Sequence, residues 1–318
     1  MSLGGECRAA RVVVPMLGVM SLESPFASAL SAIPVERNEV TVLGSTTRYW
    51  TYGSADAETT VVISHGYRGE HHGIEPIIAQ LPGIRFIGPD LPGFGESTPL
   101  TEVAHSVEGY AAWLAAFVDK LGLTGTAVIL GHSFGTIISA RAIAEGLATP
   151  ALVLVNPIAI SGLDGPRKVA TKITVAYYAL ASRLPEKLGH RLLNNWLIVQ
   201  AMSSAMTKTK DRALRRWIHN EHHTFFSRYA SRDTVVEGFR ASISTDVSAF
   251  ASRIHVPTLL VAASHDDITP VSAQYELQKA IPGSTLRVLD DVGHLIHYEV
   301  PSLAAAAISE FLDDLPAS

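Results

Sequence analysis

The feature that most constrains the fold is a short turn between an apolar run and a helical pattern, within TAVILGHSFGTIISARAIAEG at residues 126–146. The apolar run at 127–130 predicts a buried strand. The Gly-His-Ser-Phe-Gly turn at 131–135 leads directly into a predicted helix. A strand that is apolar along its whole length is typical of a parallel sheet covered on both faces. The segment therefore predicts one strand–turn–helix unit of an α/β protein.

The same alternation of strand and helix continues through most of the chain. Polar and apolar residues alternate at 38–44 and 46–53, across a Gly-Ser turn, and predict a hairpin. Buried strands are predicted at 59–66, 84–93, 126–133, 151–157, 256–264 and 284–291, and helices at 70–81, 105–121, 271–281 and 301–315. This alternation predicts an α/β fold with a mostly parallel, doubly wound sheet.

The alternation stops after residue 157. From 158 to 247 the chain contains helical patterns without a clear strand, and the plainest are at 173–184 and 215–230. A helical block inserted between two strands predicts a cap. We therefore expect an α/β core at 36–157 and 248–318 and a helical cap at 158–247. We also expect an N-terminal extension at 1–35 that is disordered or packed on the surface.

Composition excludes several classes of protein. Charged residues make up only 17% of the chain, the net charge is −5, and Lys and Arg are dispersed. Phosphate binding needs a concentrated basic face, so we expect no nucleic-acid partner. Cys7 is the single cysteine, which rules out an intrachain disulfide and fits a reducing cytoplasm. No stretch of eighteen apolar residues occurs, so we expect no integral membrane segment.

Ser133, between the two glycines of the turn, is the candidate nucleophile. A serine hydroxyl attacks a carbonyl only when it is exposed, held near a base and close to donors for an oxyanion. A sharp turn lifts the side chain above the sheet, and the flanking glycines let backbone segments approach each other. The N-terminus of the following helix favours the negative charge that develops during attack.

The ends of two later strands supply the partners that such a serine needs. Asp266 and Asp267 follow the strand at 256–264, and His294 lies in a Gly-His loop after the last strand. Because the carboxyl ends of parallel strands meet at one edge of a sheet, His294 and one aspartate can reach Ser133. Each residue alone has a structural explanation, such as a helix cap for the aspartates. Their order along the chain favours a serine–histidine–acid triad.

These motifs resemble those of the α/β-hydrolase fold superfamily, in its capped branch of serine hydrolases. The similarity covers nearly everything from about residue 38 onward. It includes ISHGYRG at 63–69, DLPGFGES at 90–97, VPTLLVAASHDDITP at 256–270 and GHLIHYEVP at 293–301. The resemblance implies the α/β-hydrolase fold with an inserted helical cap.

The resemblance also implies roles for individual residues. Ser133 matches the family nucleophile and His294 matches the general base. Asp266 lies four residues before Pro270, as the family acid usually does, and is therefore preferred over Asp267.

The family's oxyanion hole maps onto backbone groups of this chain. The resemblance implies that the N–H groups of Tyr67 and Phe134 form it. The chain departs from the family just before the acid, where the family often has glycine and this chain has Ala263 or Ser264.

We expect structural roles for the remaining polar residues of these motifs, namely His65, Asp90, His132 and His297. The adjacent histidines at 71–72 and 222–223 are expected to point in different directions, without a Cys or carboxylate pattern to complete a site. We therefore expect no metal and no cofactor. We expect a solvated cap helix, rather than a membrane contact, at 215–223. The cap aromatics are expected to form the cap's own core more often than to contact substrate, and which of them line the pocket stays open: Tyr177, Tyr178, Trp196, Phe225 and Phe226.

A serine at this turn implies an acyl-enzyme route. Haloalkane dehalogenases and epoxide hydrolases of the superfamily carry aspartate there, so Ser133 argues against both. We expect hydrolysis of a small, apolar carboxylic ester by a monomer or homodimer. The same triad also serves C–C bond hydrolases, thioesterases, aminopeptidases and acyltransferases. A non-catalytic ligand-binding module on this fold stays open, although the triad disfavours it.

Overall fold

A single eight-stranded sheet organises the chain in a computed structural model, which describes residues 22–164 and 168–315. Its strand order is β1-β2-β4-β3-β5-β6-β7-β8. The strands are β1 (Val35–Val42), β2 (Ser45–Tyr52), β3 (Thr60–Ser64), β4 (Arg85–Pro89), β5 (Val128–His132), β6 (Leu152–Val155), β7 (Thr258–Ala263) and β8 (Thr285–Leu289). The strands from β3 to β8 run parallel, and the β1–β2 hairpin pairs antiparallel with β4.

Helices flank this sheet and fill the interval between β6 and β7. They are α1 (Ala27–Ser31), α2 (Glu75–Ile78), α3 (Val107–Lys120), α4 (Phe134–Ala144), α5 (Lys168–Arg183), α6 (Glu186–Leu193), α7 (Trp196–Met206), α8 (Arg212–Phe225), α9 (Arg232–Ser244), α10 (Val271–Ala280), α11 (Ile296–Glu299) and α12 (Pro301–Asp313). The predicted helices at 173–184 and 215–230 correspond to α5 and α8. That the helices between β6 and β7 act as a cap, with limits at 158 and 247, remains a prediction.

The sheet is buried on both faces, as the apolar strands predict. Successive residues of a strand point to opposite faces, so Val62 belongs to one hydrophobic cluster while Val61 and Ile63 belong to another. The first cluster contains side chains of α3 and α4, and the second contains side chains of α2 and α12. The prediction of an α/β fold with a doubly wound, mostly parallel sheet is confirmed.

The structure corrects two local predictions. The hairpin turns at Leu43 and Gly44, both at positive φ, and Ser45 already pairs with Val42. Two consecutive positive φ values give a tight turn that matches strand twist, so the turn lies one residue earlier than expected. The predicted helix at 70–81 is a 3₁₀ turn at His71–Ile74 followed by α2. Pro76 lacks the N–H that a continuous helix would need.

Part of the predicted N-terminal extension is packed on the protein. Residues 22–34 contain α1, Ile33 is buried, and the Phe26 ring makes an edge contact with Trp217 at 5.6 Å. Because its apolar side chains pack against the rest of the protein, this segment follows the surface-packed alternative and not the disordered one. Residues 1–21 lie outside the described residues. Within the described part of the chain, no helix is both long enough and apolar enough to span a bilayer.

Candidate active site

Ser133 occupies a strained turn between β5 and α4. Its backbone has φ 51° and ψ −118°, which a residue with a Cβ adopts only when its surroundings enforce it. The flanking glycines explain how that turn fits. A Cβ on Gly135 would lie 1.8 Å from the carbonyl oxygen of Ser64, and one on Gly131 would lie 2.6 Å from the oxygen of Gly135. Glycine is needed on both sides because α4 packs directly against the sheet.

The tertiary structure joins three of the predicted residues in one hydrogen-bonded chain. Ser133 Oγ lies 2.8 Å from His294 Nε2, and His294 Nδ1 lies 2.7 Å from Asp266 Oδ2. His294 follows β8, and Asp266 follows β7, so both reach the serine across the carboxyl edge of the sheet. Both are at most 7% exposed, and their hydrogen bonds are therefore shielded from water.

Asp266 is held as a carboxylate by its surroundings. Burial by itself would raise its pKa, but the charge of His294 and several hydrogen bonds outweigh burial and lower the pKa below its ordinary value. Asp266 Oδ1 accepts hydrogen bonds from the N–H groups of Ile268 and Thr269, at 2.8 and 3.2 Å. An ionised carboxylate beside His294 Nδ1 fixes the imidazole tautomer that leaves Nε2 free to accept a proton.

Asn156 is a member of this site that the sequence analysis missed. Its Nδ2 donates to Asp266 Oδ2 at 3.2 Å, and the residue is buried at positive φ directly after β6. Its position in the sequence could have identified Asn156, because it directly follows a strand that ends at the same sheet edge as the other site residues.

The two neighbouring aspartates have different partners. Asp267 forms an ion pair with Lys208, which lies between α7 and α8, and its side chain is 37% exposed. Asp266 contacts His294 instead, and its role as the acid of a triad remains a prediction.

The two backbone N–H groups predicted to act as oxyanion donors are those of Tyr67 and Phe134. Among the described residues, neither Tyr67 nor Phe134 donates its N–H to another group. Phe134 N–H is at the first position of α4, where helices leave N–H groups unsatisfied. A Cβ on Gly66 would come within 3.3 Å of Ser133 Cβ. Glycine at 66 thus lets the loop of Tyr67 approach Ser133.

Buried polar side chains hold the loop that carries Tyr67. His65 Nδ1 donates to the carbonyl of Gly66, and its Nε2 accepts from Leu91 N–H at 2.8 Å. Asp90 accepts from the backbone N–H and the ring of His71, at 2.9 and 2.8 Å. His65 and Asp90 therefore have the structural contacts that the sequence predicts.

The same loop is anchored to the inserted helices through Arg68, which sequence reasoning also missed. Arg68 is 2% exposed, at φ 58°. Its guanidinium donates to the carbonyls of Phe226 at 2.7 Å and Leu193 at 3.1 Å. These carbonyls lie at the C-terminal ends of α8 and α6, where the helix dipole stabilises a cation. Tyr67 adds a hydrogen bond from its hydroxyl to Val235 O of α9 at 2.7 Å.

A cavity of about 360 Å³ opens above Ser133. The loops after β3, β5 and β8 form its floor, and the inserted helices form its walls. Most wall side chains are apolar, and they include Met202, Met206, Phe225, Phe226, Phe239 and Ile243. A mostly apolar cavity with a few converging polar groups is typical of a small-molecule site.

The predicted cap aromatics behave in three different ways. Tyr178 is buried, stacked on Phe239 at 4.0 Å, and belongs to the core as expected. Phe225 and Phe226 line the cavity, so they are substrate-contact candidates rather than core alone. Trp196 is 58% exposed at the start of α7, and its assignment to a cap core was wrong. The amphipathic pattern identifies a helix face but not which neighbour covers it.

Three further buried histidines surround the site. Burial lowers the pKa of His132 and of His222 to about 3, and it lowers that of His297 well below the ordinary value. These rings are neutral near pH 7. Their proximity to His294 therefore adds no charge to the site, and the expected structural roles of His132 and His297 fit these surroundings.

Glu70, His71 and His72 form a cluster whose ligand-type atoms all lie within 4.8 Å of one another. The expectation that the two histidines point apart was wrong. They lie in a 3₁₀ turn with ring centroids 3.9 Å apart. Asp90 and Glu70 already accept from the Nδ1 atoms of His71 and His72, respectively. Those hydrogen bonds account for the cluster, and an absence of metal remains a prediction.

Comparison with known proteins identifies the family. Residues 59–301 match the family model for the alpha/beta hydrolase fold. A 2-hydroxy-6-oxononadienedioate/2-hydroxy-6-oxononatrienedioate hydrolase of Pseudomonas putida is 26% identical over 251 residues, which cover 76% of this chain and 83% of that protein.

Solved esterase structures have the same fold. An esterase from Thermogutta terrifontis superposes with a TM-score of 0.69 at 23% identity, covering 89% of this chain and 100% of that one. An esterase from Exiguobacterium antarcticum gives a TM-score of 0.69 at 19% identity, covering 87% and 99%. At such identities the likeness concerns the fold alone. The family match covers most of the chain and the Pseudomonas putida relative is a hydrolase, so this protein belongs to the α/β-hydrolase fold family and is a hydrolase.

Proposed function

We propose that the protein is a serine hydrolase that cleaves a carboxylic ester through an acyl-enzyme. The observation that carries the proposal is the hydrogen-bonded chain from Ser133 through His294 to Asp266 at the floor of the cavity. Serine is a weak nucleophile by itself. His294 Nε2 lies 2.8 Å from Ser133 Oγ and can activate it as a base, because the Asp266 carboxylate fixes the imidazole tautomer.

The first half of the reaction forms the acyl-enzyme. Ser133 Oγ attacks the ester carbonyl carbon while His294 Nε2 takes the hydroxyl proton. The carbonyl π electrons move to oxygen, and the N–H groups of Tyr67 and Phe134 stabilise that oxyanion. When the C–O bond to the alcohol breaks, the imidazolium of His294 returns the proton to the leaving alkoxide. Asp266 stabilises the imidazolium throughout.

The second half releases the acid. Water attacks the acyl carbon, and His294 Nε2 takes its proton. The intermediate then collapses with departure of Ser133 Oγ, which regains the proton from His294. The positive end of α4 faces the same oxyanion in both halves and lowers its energy further.

The walls of the cavity support a small, mostly apolar acyl compound as substrate. The inserted helices supply most of the apolar side chains, and we propose that they act as a cap that excludes water from the acyl-enzyme. Cys7 as the single cysteine supports a cytoplasmic location as part of the proposal.

The second candidate is hydrolysis of a C–C bond. The Pseudomonas putida relative, named as an oxononadienedioate hydrolase, favours it. The two candidates differ in substrate. An ester hydrolase turns over simple alkyl esters, whereas a C–C hydrolase prefers a dienol or diketone.

Labelling with a fluorophosphonate probe tests the proposal. We expect one adduct per chain by intact mass, located on Ser133. We also expect turnover of p-nitrophenyl esters that peaks at an acyl length fitting the cavity. A protein with a cooperative unfolding transition but no adduct and no ester turnover would refute the proposal. Faster turnover of a vinylogous diketone than of any ester would favour the C–C candidate.

Replacing Arg68 with Met tests how the oxyanion loop is held. The substitution keeps an apolar stem but leaves two buried carbonyls without a donor. We expect a loss of about 2–4 kcal/mol in the free energy of unfolding, together with a lower kcat, because Tyr67 N–H loses its support.

The matched control for this variant is Arg240→Met on α9, where the side chain is exposed. Urea unfolding and ester kinetics are measured for both. If Arg68→Met and Arg240→Met unfold at the same urea concentration and retain the same kcat, Arg68 does not anchor the loop.

A further inference from the structure

The outer surface of the inserted helices has an unusual number of exposed apolar side chains. Twelve large hydrophobic residues in the described chain are exposed, and eight of them lie between residues 163 and 197. They include Ile173, 68% exposed on α5, and Trp196 and Leu197, 58% and 69% exposed at the start of α7. Apolar side chains concentrated in one region of a surface indicate a contact with another phase or molecule.

The same helices concentrate positive charge. Residues 168–216 contain ten Lys and Arg against two Asp and Glu, although the chain as a whole has a net charge of −5. Among the described residues, Lys168, Lys172, Lys187 and Arg191 take part in no ion pair. Their charge is therefore available to an external partner. The prediction that Lys and Arg are dispersed is therefore wrong for this part of the chain.

Helix α5 has one side that lines the cavity and an opposite side that is exposed. Ala170, Thr171 and Thr174 on its inner side line the cavity above Ser133. At 3.6 residues per turn, Lys168 and Lys172 fall on the opposite side, next to Val169 and Ile173. Those four residues are all exposed.

Leu180 and Arg183 extend the outer side of α5 by two further turns. We call the outer side of α5 the basic–apolar face. Because the inner side of the same helix lines the cavity, this face adjoins the cavity that holds Ser133.

We propose that the basic–apolar face docks the protein on an anionic membrane surface, with Lys168 and Lys172 at the lipid headgroups and Val169 and Ile173, which are 67% and 68% exposed, among the acyl chains. A helix with apolar residues on one edge of its exposed side and lysines on the other has the pattern of an interfacial helix.

The positive charge of the basic–apolar face favours a lipid surface over a second copy of the chain as the partner that binds there. A two-fold dimer through this face would set the same patch against itself. Its lysines and arginines would then meet like charges without counter-ions. An anionic bilayer supplies the complementary charge and an apolar phase together. The docking does not depend on which acyl compound the site hydrolyses.

Co-sedimentation with vesicles tests the proposal. The full chain is mixed with vesicles of phosphatidylcholine alone and of phosphatidylcholine with phosphatidylglycerol. We expect binding to the second and little to the first, and weaker binding as salt is raised. Each lysine near such a surface contributes about fivefold to affinity, so Lys168→Gln combined with Lys172→Gln should weaken binding about 25-fold. Ile173→Ser should weaken it about tenfold.

Matched controls lie on other faces of the protein. Arg253→Gln combined with Lys279→Gln removes two exposed cations, and Leu303→Ser removes an apolar side chain that is 51% exposed. Neither control should change vesicle binding. Thermal unfolding by circular dichroism confirms that every variant is folded. Loss of vesicle binding in the face variants alone supports the proposal.

Two other outcomes would overturn the proposal of membrane docking. Vesicle binding that is absent, or equal in face and control variants, would exclude docking through this face. A protein that ignores vesicles but dimerises in sedimentation velocity, with dimers lost in Ile173→Ser, would assign the face to a second copy. These readouts are independent of ester turnover, so they stand even if the hydrolase proposal fails.

Discussion

Ser133→Ala is expected to lower kcat for p-nitrophenyl esters by at least about a thousandfold while leaving the fold intact. The substitution removes the only atom that can form the acyl bond and leaves the oxyanion donors in place. The residual rate should therefore remain slightly above that of the uncatalysed reaction. Steady-state kinetics and thermal unfolding are measured on the same preparations.

Ser139→Ala is the matched control, because Ser139 lies on α4 next to the nucleophile turn and its buried hydroxyl has no hydrogen-bond partner among the described residues. Removal of an unpartnered hydroxyl should leave kcat unchanged. Wild-type turnover by Ser133→Ala would contradict the acyl-enzyme mechanism. An equal loss in Ser139→Ala would point to damage of the helix instead.

Asp266→Asn is expected to lower kcat by about 10³–10⁴-fold, the size of loss seen when a triad histidine is left in the wrong tautomer. The carboxylate accepts the proton on His294 Nδ1, whereas an amide nitrogen would donate to Nδ1 and move the ring proton to Nε2. His294 could then no longer accept the hydroxyl proton of Ser133. The KM should change much less, since Asp266 does not line the cavity.

Asp267→Asn provides the comparison. Its ion pair with Lys208 is partly exposed, and such pairs contribute about 0–1 kcal/mol to stability. We expect kcat within a few-fold of wild type. A larger loss in Asp267→Asn than in Asp266→Asn would transfer the role of the acid to Asp267 and contradict the geometry of His294.

Much of the fold could be predicted from local pattern. Continuous apolar runs predict the inner strands, because a strand covered on both faces has no polar side to display. The hydrophobic pattern predicted local structure less well where backbone conformation determines a turn or the kind of helix. The turn at Leu43 and the 3₁₀ segment at His71 depend on positive φ and on the missing N–H of Pro76, and hydrophobic spacing records neither.

A site residue could be predicted from the sequence when it lies in a turn with a recognisable local pattern, and it was missed when it does not. Ser133 and His294 lie in turns with a distinctive local pattern, and the structure brings both together with Asp266. Asn156 and Arg68 have no such pattern. Each is recognisable only by a partner more than one hundred residues away, Asp266 for Asn156 and Phe226 for Arg68.

The sequence by itself therefore determined the α/β architecture, the strained serine turn and the sheet edge at which its partners meet. These features follow from periodicity and from the steric needs of glycine, which act over a few residues. Only the tertiary structure decided which aspartate contacts His294, what holds the loop of Tyr67 to the inserted helices, and which sides of α5 and α7 are left exposed. Those outcomes depend on packing between distant segments, because a helix pattern specifies an apolar face but not the neighbour that covers it.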